Sequence, residues 1–275
     1  MSSVDYCSLL EATPLPSDFG MIELAPRRFL DFCQFRIGTN EDGVEVRVGY
    51  LNDSGTLGRI EHNEDRSRTL PRGLTIHRGP EGGGGCHRFL RFTDDIWLNV
   101  TAFRDSGMGD SCRIADATVD GVVRRAMAQQ AKHFSFSEKS LGRLEACDLL
   151  PATVVAAKLG PADTKAMRYP SAHICGWRGA EREDPIVRLY LGDGPSQYRP
   201  DFEEVTLAGR TTRIVSAEPG GTSSICDLET EHIFSPDLGE KELAMLEIDL
   251  VGKGKDACGP GRELAREVWA TLPKG

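Results

Sequence analysis

No run of 18 apolar residues occurs in the 275-residue chain, so no membrane-spanning helix is expected. The opening Met1-Ser2-Ser3-Val4-Asp5 has neither the basic start nor the apolar stretch of a secretory leader. Basic residues are in the minority, 33 Lys and Arg against 42 Asp and Glu. The resulting charge of −9 argues against a nucleic-acid partner, because phosphate binding needs a basic surface. Lysine is scarce: 25 of the 33 basic residues are Arg, which hints at a GC-rich genome. Cys-x-x-Cys and Cys-x-x-His pairs are missing, so a zinc site is not expected. So is a Gly-x-Ser-x-Gly nucleophile elbow. The glycine run Gly82-Gly83-Gly84-Gly85 lacks a following Lys-Ser/Thr and leads into a strand, so it is not a phosphate loop. His62, His77, His87, His133, His173 and His232 stand in no hydrolase or metalloprotease spacing. Surface and packing roles account for them. No catalytic, cofactor-binding or metal-ligating residue is therefore assigned.

What the chain does have is cysteine in register. Cys7-Ser8-Leu9-Leu10 opens a series Cys7, Cys33, Cys86, Cys112. Cys147-Asp148-Leu149-Leu150 opens a second, Cys147, Cys175, Cys226, Cys258. The gaps are 26, 53 and 26 residues, then 28, 51 and 32, and no cysteine is left over. The pattern predicts two tandem repeats, residues 1–134 and 141–275, joined by a serine-bearing linker over 134–146. Each is long enough to hold its own core.

Each repeat reads as an N-terminal helix, about five antiparallel strands and a C-terminal helix, an α+β plan. In the first, Pro14 and Pro16 interrupt the helix begun at Cys7. Alternation predicts strands over 32–37, 44–50, 74–77, 86–92 and 96–103. Residues 52–72 read as a polar loop, and Asp94-Asp95 as a turn. A helix follows over 114–133, with apolar residues at 119, 122, 123 and 126. In the second, a helix runs from Cys147 to its stop at Gly160. Strands follow at 174–177, 186–193, 209–215, from Cys226, and at 243–251, before a helix over 264–272. Cys33 precedes Phe35 by two residues and Cys175 precedes Trp177 likewise, which places sulfur and ring on one strand face.

Four cysteines allow three pairings in each repeat. Similar gaps favour first with second and third with fourth, which would tie helices to strands. Eight pairing cysteines suit an oxidising compartment, in tension with the missing leader. We therefore expect an extracytoplasmic domain, secreted or anchored through a segment absent from this chain. A cytosolic protein with eight free thiols leaves the register unexplained.

Cys-x-Leu-Leu opening a helix, the Cys175-Gly176-Trp177 strand, and Cys258 before Arg262-Glu263-Leu264-Ala265 resemble the DUF3558-type actinobacterial lipoproteins. More distantly they resemble the disulfide-bonded extracellular sensor domains of mycobacterial serine/threonine kinases. The resemblance implies a non-enzymatic binding or sensing module at the cell surface, with a small molecule or envelope protein as partner. Candidate surfaces are a groove between the repeats, the open face of either sheet, or the loops at 52–72 and 195–208. A secreted hydrolase with a cryptic site and a structural protein of the cell envelope are the competing readings.

Overall fold

The computed structural model describes residues 2–10, 26–38, 43–53, 67–79, 85–104, 111–160, 162–181, 183–193, 201–218 and 222–275. They fall into two units, Ser3–Phe134 and Ser135–Gly275. Pro14, Pro16, the glycine run at 82–84, His62 and most of the two candidate loops lie outside the described residues.

Alternating apolar and polar side chains set the strands of the first unit. In chain order it contains β1 (Val4–Asp5), a buried 3-10 turn (Tyr6–Leu9), β2 (Arg27–Arg28), β3 (Phe32–Ile37), β4 (Val44–Asp53), β5 (Ser67–Thr69), β6 (Thr75–Arg78), β7 (Gly85–Arg91) and β8 (Ile96–Phe103). Helix α1 (Ser111–Met127) and β9 (Lys132–His133) complete it. Seven strands form one antiparallel sheet in the order β2-β3-β4-β8-β7-β6-β5. Val46, Val48, Cys86, Leu90, Val100 and Ala102 line its inner face and pack under Ile114, Ala115, Val119 and Val122 of α1.

The second unit begins with 3-10 turns at Leu141–Arg143 and Ala146–Asp148. Then come α2 (Ala152–Leu159), β10 (Lys165–Arg168), β11 (Ile174–Arg178), β12 (Ile186–Asp193), β13 (Glu203–Leu207), β14 (Arg210–Ala217), β15 (Ser223–Ser235), β16 (Glu240–Val251) and α3 (Cys258–Thr271). Its sheet runs β10-β11-β12-β16-β15-β14-β13. In both sheets, therefore, the last strand in sequence sits at the centre. Trp177, Val187, Leu189, Leu228, Leu246 and Ile248 meet Leu264, Ala265, Val268 and Trp269 of α3.

Disulfides Cys7–Cys33 and Cys147–Cys175 fasten a 3-10 turn to β3 and to β11. Cys86–Cys112 and Cys226–Cys258 fasten the first turn of α1 to β7 and of α3 to β15. The Cα separations, 4.9 to 5.2 Å, are ordinary for a disulfide.

Several expectations are corrected. Each sheet has seven strands instead of about five: β2 and β5 edge the first, and β10 and β13 edge the second, where β13 occupies part of the stretch 195–208 expected to be a loop; all four are short and mostly exposed, with little alternation to read. The N-terminal helix of the first repeat starts as a single 3-10 turn, with Asp5 accepting from the Cys7 amide at 3.0 Å. The helix expected from Cys147 is split at Pro151, which lacks an amide proton and disfavours a helical Leu150. Helix α1 stops at Met127, and Gln129 takes a left-handed φ of 54° before the chain becomes β9.

The linker is no linker. Leu141 is fully buried in the second core. Buried Glu242 accepts from Ser140 Oγ at 2.5 Å and from the Leu141 amide at 2.6 Å. Asp237 accepts from the Ser135 amide at 3.3 Å. Residues 135–140 are thus built into the second unit by side chains a hundred positions away in sequence.

Candidate functional site

A sheet covered by a helix on one face leaves the other face to do something else. In the first unit α1 covers the inner face, where Cys86 meets Cys112 and Arg88 reaches Asp116. Pleating turns the odd-numbered side chains of β7 and β8 the opposite way. The register of the three central strands sets Arg47, Thr101 and His87 in one row across that outer face. Glu45, Phe103 and Gly85 form the row on one side, and Gly49, Asn99 and Phe89 the row on the other.

Tyr50 joins this face through a β-bulge. Val48 and Leu51 both point into the core, so one residue between them must be absorbed. The register of β4 on β8 shifts between Gly49 and Asn52. Gly49 adopts φ 146° and Tyr50 φ 49°. The Tyr50 amide donates to the Asp31 carbonyl at 2.7 Å. A Cβ on Gly49 would strike that same carbonyl and the Cα of Phe32. Gly49→Ala should therefore destabilise the first unit by about 2–3 kcal/mol. Chemical denaturation is the measurement, and an unchanged midpoint would refute the close approach.

The residues enclose a half-open trough of about 370 Å³, lined by Arg47, Tyr50, Gly85, His87, Asn99, Thr101 and Phe103. Its volume is at the small end of ligand pockets. Arg47 is held on three sides. Its Nε donates to Glu45 Oε1 at 2.8 Å, and its Nη2 lies 2.7 Å from the same oxygen. Its guanidinium sits 4.9 Å from the Phe103 ring centre and 5.8 Å from that of Phe32. Phe32 in turn stacks on Tyr50 at 4.6 Å and on Phe29 at 4.1 Å. Cation–π contact and aromatic stacking together fix the guanidinium in one place.

On the other side of the row, Thr101 Oγ1 donates to Asn99 Oδ1 at 3.1 Å. A hydroxyl has one proton, so toward His87 Nδ1, also at 3.1 Å, it can only accept. With the Asn99 amide oriented in this way the proton sits on Nδ1, and Nε2 makes no hydrogen bond among the described residues. Burial, and then the neighbouring Arg88 charge, lower the His87 pKa from its ordinary value. A neutral ring agrees with that tautomer.

The same row in the second unit carries different side chains. Gly176, Arg188, Glu247 and Asp227 occupy the matching places on β11, β12, β16 and β15. Arg188 pairs directly with Glu247. Where the second sheet has two carboxylates, the first has Thr101 and His87, and there the trough opens. A separate hollow of about 280 Å³ near Arg210 and His232 has its polar groups already spent in the fold. Arg210 donates to the Trp269, Leu272 and Pro273 carbonyls that end α3. Glu231 pairs with both Arg213 and Lys241.

The other described histidines are dispersed. The His77 ring lies tilted against Trp97 at 4.8 Å, and His133 bonds Ser3 Oγ at 3.0 Å. Buried His173 bonds the Gly142 carbonyl at 3.1 Å, and His232 Nε2 the Lys139 carbonyl at 2.7 Å. The eight cysteines are all in disulfides. Asp94-Asp95 sits at the β7–β8 turn. Among the described residues no three His, Cys, Asp or Glu side chains gather as a cation site would require, and no helix is long and apolar enough to cross a membrane. In the sequence His87 is one histidine of six, with nothing in its spacing to single it out. The outward parity of Arg47, His87 and Thr101 was readable; their cross-strand alignment was not.

No protein-family model matches the chain, and no curated protein matches it. A solved immunity protein, TplEi of the T6SS of Pseudomonas aeruginosa complexed with an "L" peptide, aligns over 93% of this chain and 99% of its own. At 10% identity and a TM-score of 0.29 the likeness carries neither fold nor function across.

Proposed function

We propose that this chain is a duplicated, extracytoplasmic binding module, without catalytic activity, whose first half seats a small polar ligand in the outer-face trough. The observation that carries the reading is the contrast between the two sheets. They share strand order and cysteine positions, yet where one row pairs Arg188 with Glu247 the matching row of the other sets Thr101 and His87 beside Arg47 and lines a trough. Strand order and disulfide positions that recur in both halves support duplication. Four disulfides suit an oxidising environment. The cysteine frame supports kinship with DUF3558-type lipoproteins and sensor domains, and with it anchorage to the cell surface through a segment outside this chain.

The contact between His87 and Thr101 gives the hydrolase reading its footing. A nucleophilic hydroxyl must give its proton to the imidazole, with a third group orienting the ring. Here the hydroxyl donates to Asn99 instead, which supports the binding reading.

Nuclear magnetic resonance of the oxidised full chain tests the proposal. The titrants are neutral mono- and disaccharides, inorganic phosphate, citrate, and free amino acids. Saturable shifts at the Arg47 Nε and at the amides of His87, Thr101 and Phe103 are expected with one of these classes. No shift with any class, or turnover of p-nitrophenyl acetate abolished by Thr101→Val, would overturn it.

A further inference from the structure

The chemistry lining the trough narrows what can occupy it. Arg47 is the fixed cation, but Glu45 already holds two of its nitrogens, so the pair is neutral as a unit. An anion would meet that carboxylate at its shoulder. A cation would meet the guanidinium itself, which lies over one side of the Phe103 ring and one side of the Phe32 ring. An apolar ligand would cover the Nε2 lone pair of His87 and the remaining Arg47 donors without pairing them, and a buried polar group left unpaired opposes binding. What is left is a neutral ligand with hydrogen-bond donors and acceptors along one edge and an apolar face for the aromatic wall.

Hydroxyl groups fit this site because each can donate to His87 Nε2 or accept from Arg47. Adjacent strands lie about 4.8 Å apart, so the row from β4 through β8 to β7 spans about 10 Å. That distance suits two linked sugar rings, and the ring C–H faces can lie against Phe103 and Tyr50. We propose that the trough binds a neutral mono- or disaccharide, with Arg47 as donor, His87 Nε2 as acceptor and Phe103 as stacking wall. This inference rests on the trough being a ligand site, as proposed above.

The test is isothermal titration of the oxidised full chain with glucose, galactose, mannose, N-acetylglucosamine, maltose and trehalose. Citrate, inorganic phosphate, glycylglycine and lysine serve as the other arms. At least one saccharide should bind saturably, and Phe103→Ala should weaken it about tenfold. His87→Phe, which keeps the ring volume and removes the acceptor, should also weaken it, whereas Arg188→Gln in the second sheet should leave it unchanged. Should Phe103→Ala fail to fold, His87→Phe decides alone. Binding of citrate, phosphate, glycylglycine or lysine with no saccharide bound overturns the saccharide and spares the trough. Silence in every arm overturns both, and saccharide binding indifferent to His87→Phe overturns the assignment of the site.

Discussion

Asp116→Ala should cost the first unit about 3 kcal/mol, the low end of the range for breaking a buried ion pair. Arg88 is only 1% exposed, inside the interface between β7 and α1. Its Nε donates to Asp116 Oδ1 at 2.6 Å, its Nη2 to Oδ2 at 3.3 Å, and its Nη1 to the His87 carbonyl at 2.9 Å. Remove the carboxylate and a full charge stays under the helix. The figure sits at the low end because the Asp116 side chain is 41% exposed, so water can partly take its place. Arg88→Met should cost less than Asp116→Ala, since it removes the charge along with its partner and keeps the volume apolar. Urea denaturation of both variants checks the order. If Arg88→Met is the more damaging, the guanidinium contributes more through its hydrogen bonds than its charge costs.

Reduction should have the largest effect of all. Each disulfide closes a loop of 26 to 32 residues. In the chain-entropy model such a loop contributes about 3.5 kcal/mol. Domain stability is typically about 5–15 kcal/mol, so a unit losing both of its bridges loses about half or more of it. The native protein should weigh eight hydrogen masses less than the reduced chain. On reduction the near-ultraviolet circular dichroism of its tryptophans should collapse. A reduced chain that melts where the oxidised one does would remove the disulfides from the account of stability, and the extracytoplasmic reading with them.

How much of this was legible depends on the range over which each signal acts. Val44 to Val48 and Ile186 to Leu191 alternate, and alternation is local, so β4 and β12 were readable from their own residues. The cysteines are not local, but a register repeated at similar spacing made their partners guessable. Arg27–Arg28 and Ser67–Thr69 become strands only because β3 and β6 offer free edges. Nothing within two or three exposed residues could announce that. The apolar stripe of Val119, Val122 and Val123 gave α1 its face without saying where it would stop. The trough was the least legible feature. Arg47, Thr101 and His87 meet through two strand registers and a bulge, and the bulge depends on a glycine whose missing Cβ is noticed only once Asp31 and Phe32 lie beneath it.

One small pairing in the first unit bears on how the molecule responds to load. β1 and β9 run antiparallel, Val4 opposite His133 and Asp5 opposite Lys132. The Phe134 amide donates to the Ser3 carbonyl at 2.7 Å, so the chain enters and leaves this unit at one point. A pull on those two ends would peel the pair apart one hydrogen bond at a time instead of shearing all of them together. The peel would run to Cys7 and halt there, because the next residues are bonded through sulfur to β3 at Cys33. On that side tension would therefore pay out a few residues of slack at low force and then meet a covalent stop, whereas from Phe134 the first such stop is Cys112, at the start of α1.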